Sequence, residues 1–124
     1  MKCEASIVNF CLPEQMLSVA DLPFPAVRLF SLYGKEGTKR GNHAHRKCSQ
    51  FMFLNLGAVG ILCERGTEAV FTLDNGMKGL HVPPMHWVEV KFLGDAILHV
   101  LCDMPYDERD YIRNYSDFVR CISL

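Results

Sequence analysis

The chain has 124 residues, 49% hydrophobic and 22% charged, the composition of one globular domain (residues 1–124) large enough to bury a core without staples. A formal net charge of -1 gives no global drive toward nucleic acid or an anionic membrane. No stretch approaches the roughly 20 apolar residues of a membrane span, and the early acid in Met1-Lys2-Cys3-Glu4 argues against a secretory leader, so a cytoplasmic protein is expected.

Turn-forming residues recur along the chain: Pro23 and Pro25, Gly34, Gly37, Gly41, Gly57, Gly66, Asn75-Gly76, Gly79, Pro83-Pro84 and Gly94-Asp95. Between them lie short runs rich in β-branched and aromatic residues: Val27 to Leu32, Phe51 to Leu56, Val59 to Cys63, Ala69 to Leu73, Val88 to Phe92 and Ala96 to Cys102. Many short strands with regular turn signals predict an all-β sandwich or barrel. Asn75-Gly76 suits a type I′ hairpin, because both residues tolerate positive φ. Phe51-Met52-Phe53-Leu54 is apolar on both faces, as an interior strand would be. Near the end, Tyr106 to Arg113 opens with acids and closes with arginine, which predicts a short surface helix.

The six cysteines (Cys3, Cys11, Cys48, Cys63, Cys102 and Cys121) form no Cys-x-x-Cys, and several sit inside apolar runs. They read as reduced, mostly buried small hydrophobes rather than a disulfide framework or zinc site. Charge is uneven: Lys35 to Lys47 carries five cations (Lys35, Lys39, Arg40, Arg46, Lys47) against Glu36. That stretch is either a solvated loop or a local anion site. It is too short, in a slightly acidic chain, for a polyanion.

Within it, Gly41-Asn42-His43-Ala44-His45 places two imidazoles at i and i+2, which share one face of a strand. Such a pair can hold a metal or share proton transfer near neutral pH. Its surroundings resemble the first cupin motif: Gly37, five residues, His43-Ala44-His45, four residues, Gln50, six residues, Gly57. Gln50 stands where glutamate is usual. In the second motif, Val88 occupies the usual histidine position after Pro83, with His86 two residues away. A neutral amide and a lost imidazole remove charge compensation and one donor from a divalent ion. Metal-free histidine acid/base chemistry is therefore expected, with a residual metal site as the second reading.

Two blocks carry a closer resemblance: Arg40-Gly41-Asn42-His43-Ala44-His45-Arg46-Lys47, followed by Gln50, and Tyr106-Asp107-Glu108-Arg109-Asp110-Tyr111-Ile112-Arg113-Asn114-Tyr115, followed by Phe118. With weaker support from Val82, Pro84 and Trp87, these resemble the WxcM-like, cupin-fold nucleotide-sugar 3,4-ketoisomerases. The resemblance implies a jelly-roll subunit, a homodimer, no metal or other cofactor, and a dTDP-linked 4-keto-6-deoxy sugar whose keto group moves from C4 to C3 for bacterial surface polysaccharide. It makes His45 the main base and His43 its partner. Arg40, and Arg28 on the preceding strand, are the candidates for oxyanion or diphosphate contact. Gln50 can orient an imidazole, and Trp87 can pack on the ligand or in the core. Family members commonly carry a Tyr-Tyr pair where this chain has Phe30-Ser31, and Tyr33 is the candidate replacement. A non-catalytic nucleotide-sugar-binding cupin and a metal-dependent cupin enzyme are the alternatives.

Overall fold

The computed structural model describes residues 1–9, 22–54, 56–74 and 78–123. Among them are ten strands: β1 (Ser6–Asn9), β2 (Arg28–Gly34), β3 (Lys39–His45), β4 (Gln50–Leu54), β5 (Val59–Arg65), β6 (Thr67–Leu73), β7 (Lys78–Val82), β8 (Trp87–Phe92), β9 (Ala96–Cys102) and β10 (Tyr111–Ile112). One helix, α1 (Tyr115–Ile122), follows them. The strands form two five-stranded sheets, ordered β1-β7-β4-β9-β2 and β10-β3-β8-β5-β6, with antiparallel pairing throughout. This is the jelly-roll sandwich expected from the punctuated β pattern.

Period-2 alternation builds the core. Val59, Ile61 and Cys63 of β5, Val88, Val90 and Phe92 of β8, and Leu98, Val100 and Cys102 of β9 all face between the sheets and are buried. Met52 and Leu54 join them from β4, which is a central strand as its two-sided apolar run requires. Gly34, at the end of β2, is set by close packing. A Cβ there would lie 2.7 Å from the Phe92 ring.

One irregularity decides where the histidines point. β3 pairs with β8 as Lys39 with Lys91, Arg40 with Val90 and Gly41 with Glu89, then skips Asn42 so that His43 meets Val88. Gly41 (φ +90°) and Asn42 (φ +62°) both adopt left-handed backbone here. A Cβ on Gly41 would lie 2.7 Å from the Val88 carbonyl oxygen. The extra residue shifts the alternation by one. His43 therefore faces inward beside Val88 instead of outward.

The helix is not where the sequence pattern suggested. Residues 106–113 form a 3₁₀ turn, Glu108–Asp110, and the short strand β10. α1 begins after them, with Asn114 as N-cap accepting from the Asp117 N–H at 3.1 Å. It covers the outer side of the second sheet, where Phe118 packs with Ala44, Trp87 and Ile112 in a small second core. Three of the five described cysteines (Cys48, Cys63, Cys102) are buried, and all five are unbridged, as expected. Asn75-Gly76 and Cys11 lie outside the described residues. No described helix is long and apolar enough to cross a membrane.

Candidate active site

The bulge brings His43 and His45 together at the end of β3, their ring centroids 5.1 Å apart and edge to face. β10 closes over them. Its register sets Tyr111 opposite His45 and Ile112 opposite Ala44, so Tyr111 shares the histidine side while Ile112 goes beneath α1. The Tyr111 ring lies 4.3 Å from that of His45 and 5.1 Å from that of His43.

Asp110, immediately before β10, is buried against His45, with Oδ2 2.9 Å from the His45 Nδ1. The same carboxylate accepts from the Lys47 N–H at 2.7 Å (Oδ1) and the Cys48 N–H at 3.3 Å (Oδ2). Two ring nitrogens remain without a partner despite being buried: His45 Nε2 and His43 Nδ1. Buried polar atoms are normally satisfied, because leaving one unpaired costs about 1–3 kcal/mol. The two nitrogens are the polar atoms of the pair left for a ligand to meet.

The electrostatics keep both rings neutral. Burial, then the neighbouring His45, lowers His43 to about 4. Burial lowers His45 as well. Its bond to Asp110 opposes that, and the Arg28 and Arg113 charges add to the fall. A neutral imidazole with a free lone pair can accept a proton.

A ring of aromatic and cationic groups surrounds the pair. The Arg28 guanidinium sits 4.6 Å from the Phe30 ring centroid and 5.1 Å from that of Tyr106. Arg113 lies 4.2 Å over Tyr111 and is bound to Glu108 through Nε at 2.7 Å and Nη2 at 2.9 Å. The Tyr106 hydroxyl donates to the same Glu108 carboxylate. Bonds from Arg113 and Tyr106 hold that carboxylate down at about 2.

Of the residues singled out by sequence, the structure groups His43, His45 and Arg28 and separates the others. Arg40 lies before the bulge, opposite Val90, exposed at the start of β3, where it borders a groove of about 400 Å³ with Glu89, Lys91 and Leu93. Tyr33 is 56% exposed on the outer face of the first sheet, beside Ile97 and His99. Ser31 also points there, bonded to His99 at 2.9 Å. Trp87 belongs to the core beneath α1, its indole N–H donating to Glu89 at 3.0 Å. Gln50 is buried, and its amide donates to the Cys102 sulfur at 3.9 Å rather than to an imidazole. Asp110, Tyr111, Tyr106, Glu108 and Arg113 were missed as site residues, because the segment that carries them read as a surface helix. Its signal was the density of acids, arginines and tyrosines, greater than a solvated helix needs.

The donors do not fit a resident divalent ion. Val88 presents methyl groups opposite His43, where a third imidazole would be needed. His86 cannot replace it: its Nε2 accepts the Glu4 N–H at 2.9 Å and its Nδ1 lies 3.0 Å from the Pro84 carbonyl oxygen. His45, Cys48 and Asp110 hold potential ligand atoms within 4.8 Å of one another. However, the Asp110 oxygens already accept the Lys47 and Cys48 N–H groups and lie against His45 Nδ1. The Cys48 thiol is pushed far up by its bond to Cys102 and by burial, so it is not a thiolate.

A jelly roll with an inward histidine pair at the end of one strand and a neutral, ligand-seeking interior defines a cupin. Within that class the chain belongs to the WxcM-like, C-terminal (FdtA) family, which matches residues 14–123. The TDP-4-oxo-6-deoxy-α-D-glucose-3,4-oxoisomerase of Aneurinibacillus thermoaerophilus is 34% identical over 106 residues, 83% of this chain and 76% of the relative. A 3,4-ketoisomerase from Helicobacter canadensis superposes with a TM-score of 0.88 at 27% identity, over 98% of each chain. The 3,4-ketoisomerase QdtA of Thermoanaerobacterium thermosaccharolyticum was solved as a histidine-to-asparagine variant with TDP-4-keto-6-deoxyglucose. It matches with a TM-score of 0.86 at 25% identity, over 96% of this chain and 94% of that one.

Proposed function

We propose that this chain is a nucleotide-sugar 3,4-ketoisomerase acting on a thymidine diphosphate-linked 4-keto-6-deoxy sugar. The observation that carries the reading is the pair of buried, unpartnered nitrogens, His45 Nε2 and His43 Nδ1, on rings held neutral. The family and its keto-sugar isomerases support the substrate class.

The C4 ketone acidifies the C3 proton. His45 Nε2 takes that proton, and the C3–H electron pair becomes the C3–C4 double bond of an enediolate. Arg28, aimed by the Phe30 and Tyr106 rings, stabilises the oxyanion on O4 or contacts the diphosphate. A proton delivered to C4, from His45 or from His43 as second carrier, and transfer of the O3 hydroxyl proton to O4 complete the 3-ketone with a hydroxyl at C4. No step uses a metal. The chain works as one cupin domain in a cytoplasmic homodimer, with no nucleic-acid or membrane partner, and its product feeds bacterial surface polysaccharide.

The test is incubation with TDP-4-keto-6-deoxyglucose, followed by NMR of the sugar ring. A carbonyl appearing at C3 is expected. Thermal stabilisation by the nucleotide sugar with no product would overturn the reading in favour of a non-catalytic binding protein.

A further inference from the structure

We propose that Asp110 is a positioning residue that fixes the tautomer of His45, so that Nε2 faces the substrate as a bare lone pair. The inference rests on His45 being the base, and it follows from how the Asp110 carboxylate is used on every side. Oδ1 accepts the Lys47 N–H at 2.7 Å, and Oδ2 accepts from Cys48 N–H at 3.3 Å while lying 2.9 Å from His45 Nδ1. A carboxylate with both oxygens accepting presents no donor. The ring nitrogen facing it must therefore carry the hydrogen, which puts the lone pair on Nε2.

The anchoring is double. The Asp110 N–H donates to the Asp107 carbonyl, the Arg46 N–H donates to the Asp110 carbonyl, and the two loop N–H groups grip the side chain. The acid cannot rotate without losing bonds at the turn that leaves β3. At 6% exposure it has no water to compensate them. Ring orientation and hydrogen placement are thus set by the turn between β3 and β4 and by the 3₁₀ segment before β10.

Asp110→Asn is the informative change because the loop dictates which way the amide lies. Lys47 N–H at 2.7 Å requires the amide oxygen on its side. The NH₂ is left facing His45 Nδ1 as a donor. The ring must then accept at Nδ1 and move its hydrogen to Nε2, so a donor points at C3 where an acceptor is needed.

The experiment reads the ring directly. Two-dimensional ¹⁵N–¹H NMR of the wild-type protein without substrate, assigned with His45→Asn, is expected to show His45 as the Nδ1–H tautomer. Asp110→Asn is expected to show Nε2–H, to lower kcat on the order of 100- to 10,000-fold, and to leave KM near its original value. Asp110→Glu keeps two accepting oxygens and is expected to retain the Nδ1–H signature and recover part of kcat. A wild-type His45 with its hydrogen on Nε2, or an Asp110→Asn variant with unchanged kcat, overturns the proposal. If the Asn variant fails to fold, the wild-type and Glu spectra decide it. Absence of isomerase activity in the wild type would remove the functional reading alone, since the tautomer is measured without substrate.

Discussion

At the scale of single residues, the histidine pair was legible because strand geometry is simple. Two imidazoles at i and i+2 share a face whatever the rest of the chain does. What acts on them was not legible. Asp110 is 65 positions from His45, and no local pattern reports a contact that depends on a two-residue strand docking beside β3. Arg40 pairs with Val90 and His43 with Val88, both core-facing, so the skipped Asn42 keeps Arg40 on the same side of β3 as His43, at the exposed start of the strand. Arg28→Ala should lower kcat/KM on the order of 100- to 1,000-fold by steady-state kinetics. The pH profile also belongs to this scale. Both histidine pKa values are lowered from 6.5 in the folded chain, mainly by burial. The base therefore stays unprotonated below its usual pKa, and kcat/KM should remain flat as pH falls through 6.5 and decline only in more acid buffer. An acid limb centred at or above 6.5 would contradict this.

At the scale of elements, the β3 bulge and α1 show why strand content was easier to read than its detail. The apolar runs that became β2, β4, β5, β6, β8 and β9 follow from packing between two sheets, which period-2 patterning reports directly. A bulge depends on two left-handed residues, and Gly41-Asn42 is compatible with a bulge or an ordinary turn alike. Its importance can be measured. Gly41→Ala places a Cβ against the Val88 carbonyl at a φ of +90°, so urea unfolding should show a loss of about 1–3 kcal/mol. Turnover should fall further than stability does, because the histidine register rests on the same bond pattern. The helix was displaced because acids before arginines mark a dipole-compatible segment without showing whether it has a face to bury. Residues 106–113 instead form the 3₁₀ turn and β10, with Asp110 buried against His45 and Ile112 beneath α1. Eight residues alone make a marginal helix, and Phe118, fully buried, anchors α1 to Trp87 and Ala44. Phe118→Ala should cost about 3–5 kcal/mol by urea melts.

At the scale of the whole molecule, the jelly roll and the family were readable, since motif spacing and strand punctuation both survive in one dimension. The buried and half-buried histidines have a global consequence. His43, His45, His81 and His86 all have lowered pKa values, with burial the leading cause in each. The unfolded chain, with histidines near 6.5, then binds more protons than the folded one as pH drops. Their contribution is fully present above 6.5 and is lost as pH falls toward the folded values, His43 alone accounting for on the order of 3 kcal/mol by about pH 4. Urea midpoints should therefore decrease steadily from pH 7.5 toward pH 5, and less steeply in His43→Gln. Midpoints that hold constant or rise on acidification would count against the placement of these rings.

The central claim is that His45 removes the C3 proton of the bound keto sugar. It is tested most directly by following solvent deuterium into C3 and C4 of TDP-4-keto-6-deoxyglucose by NMR, with wild-type protein and His45→Asn side by side. The account predicts exchange with the wild type, and none with a folded His45→Asn protein that still binds the nucleotide sugar. Wild-type protein that leaves both carbons undeuterated, or a His45→Asn variant that exchanges at the wild-type rate, would contradict it.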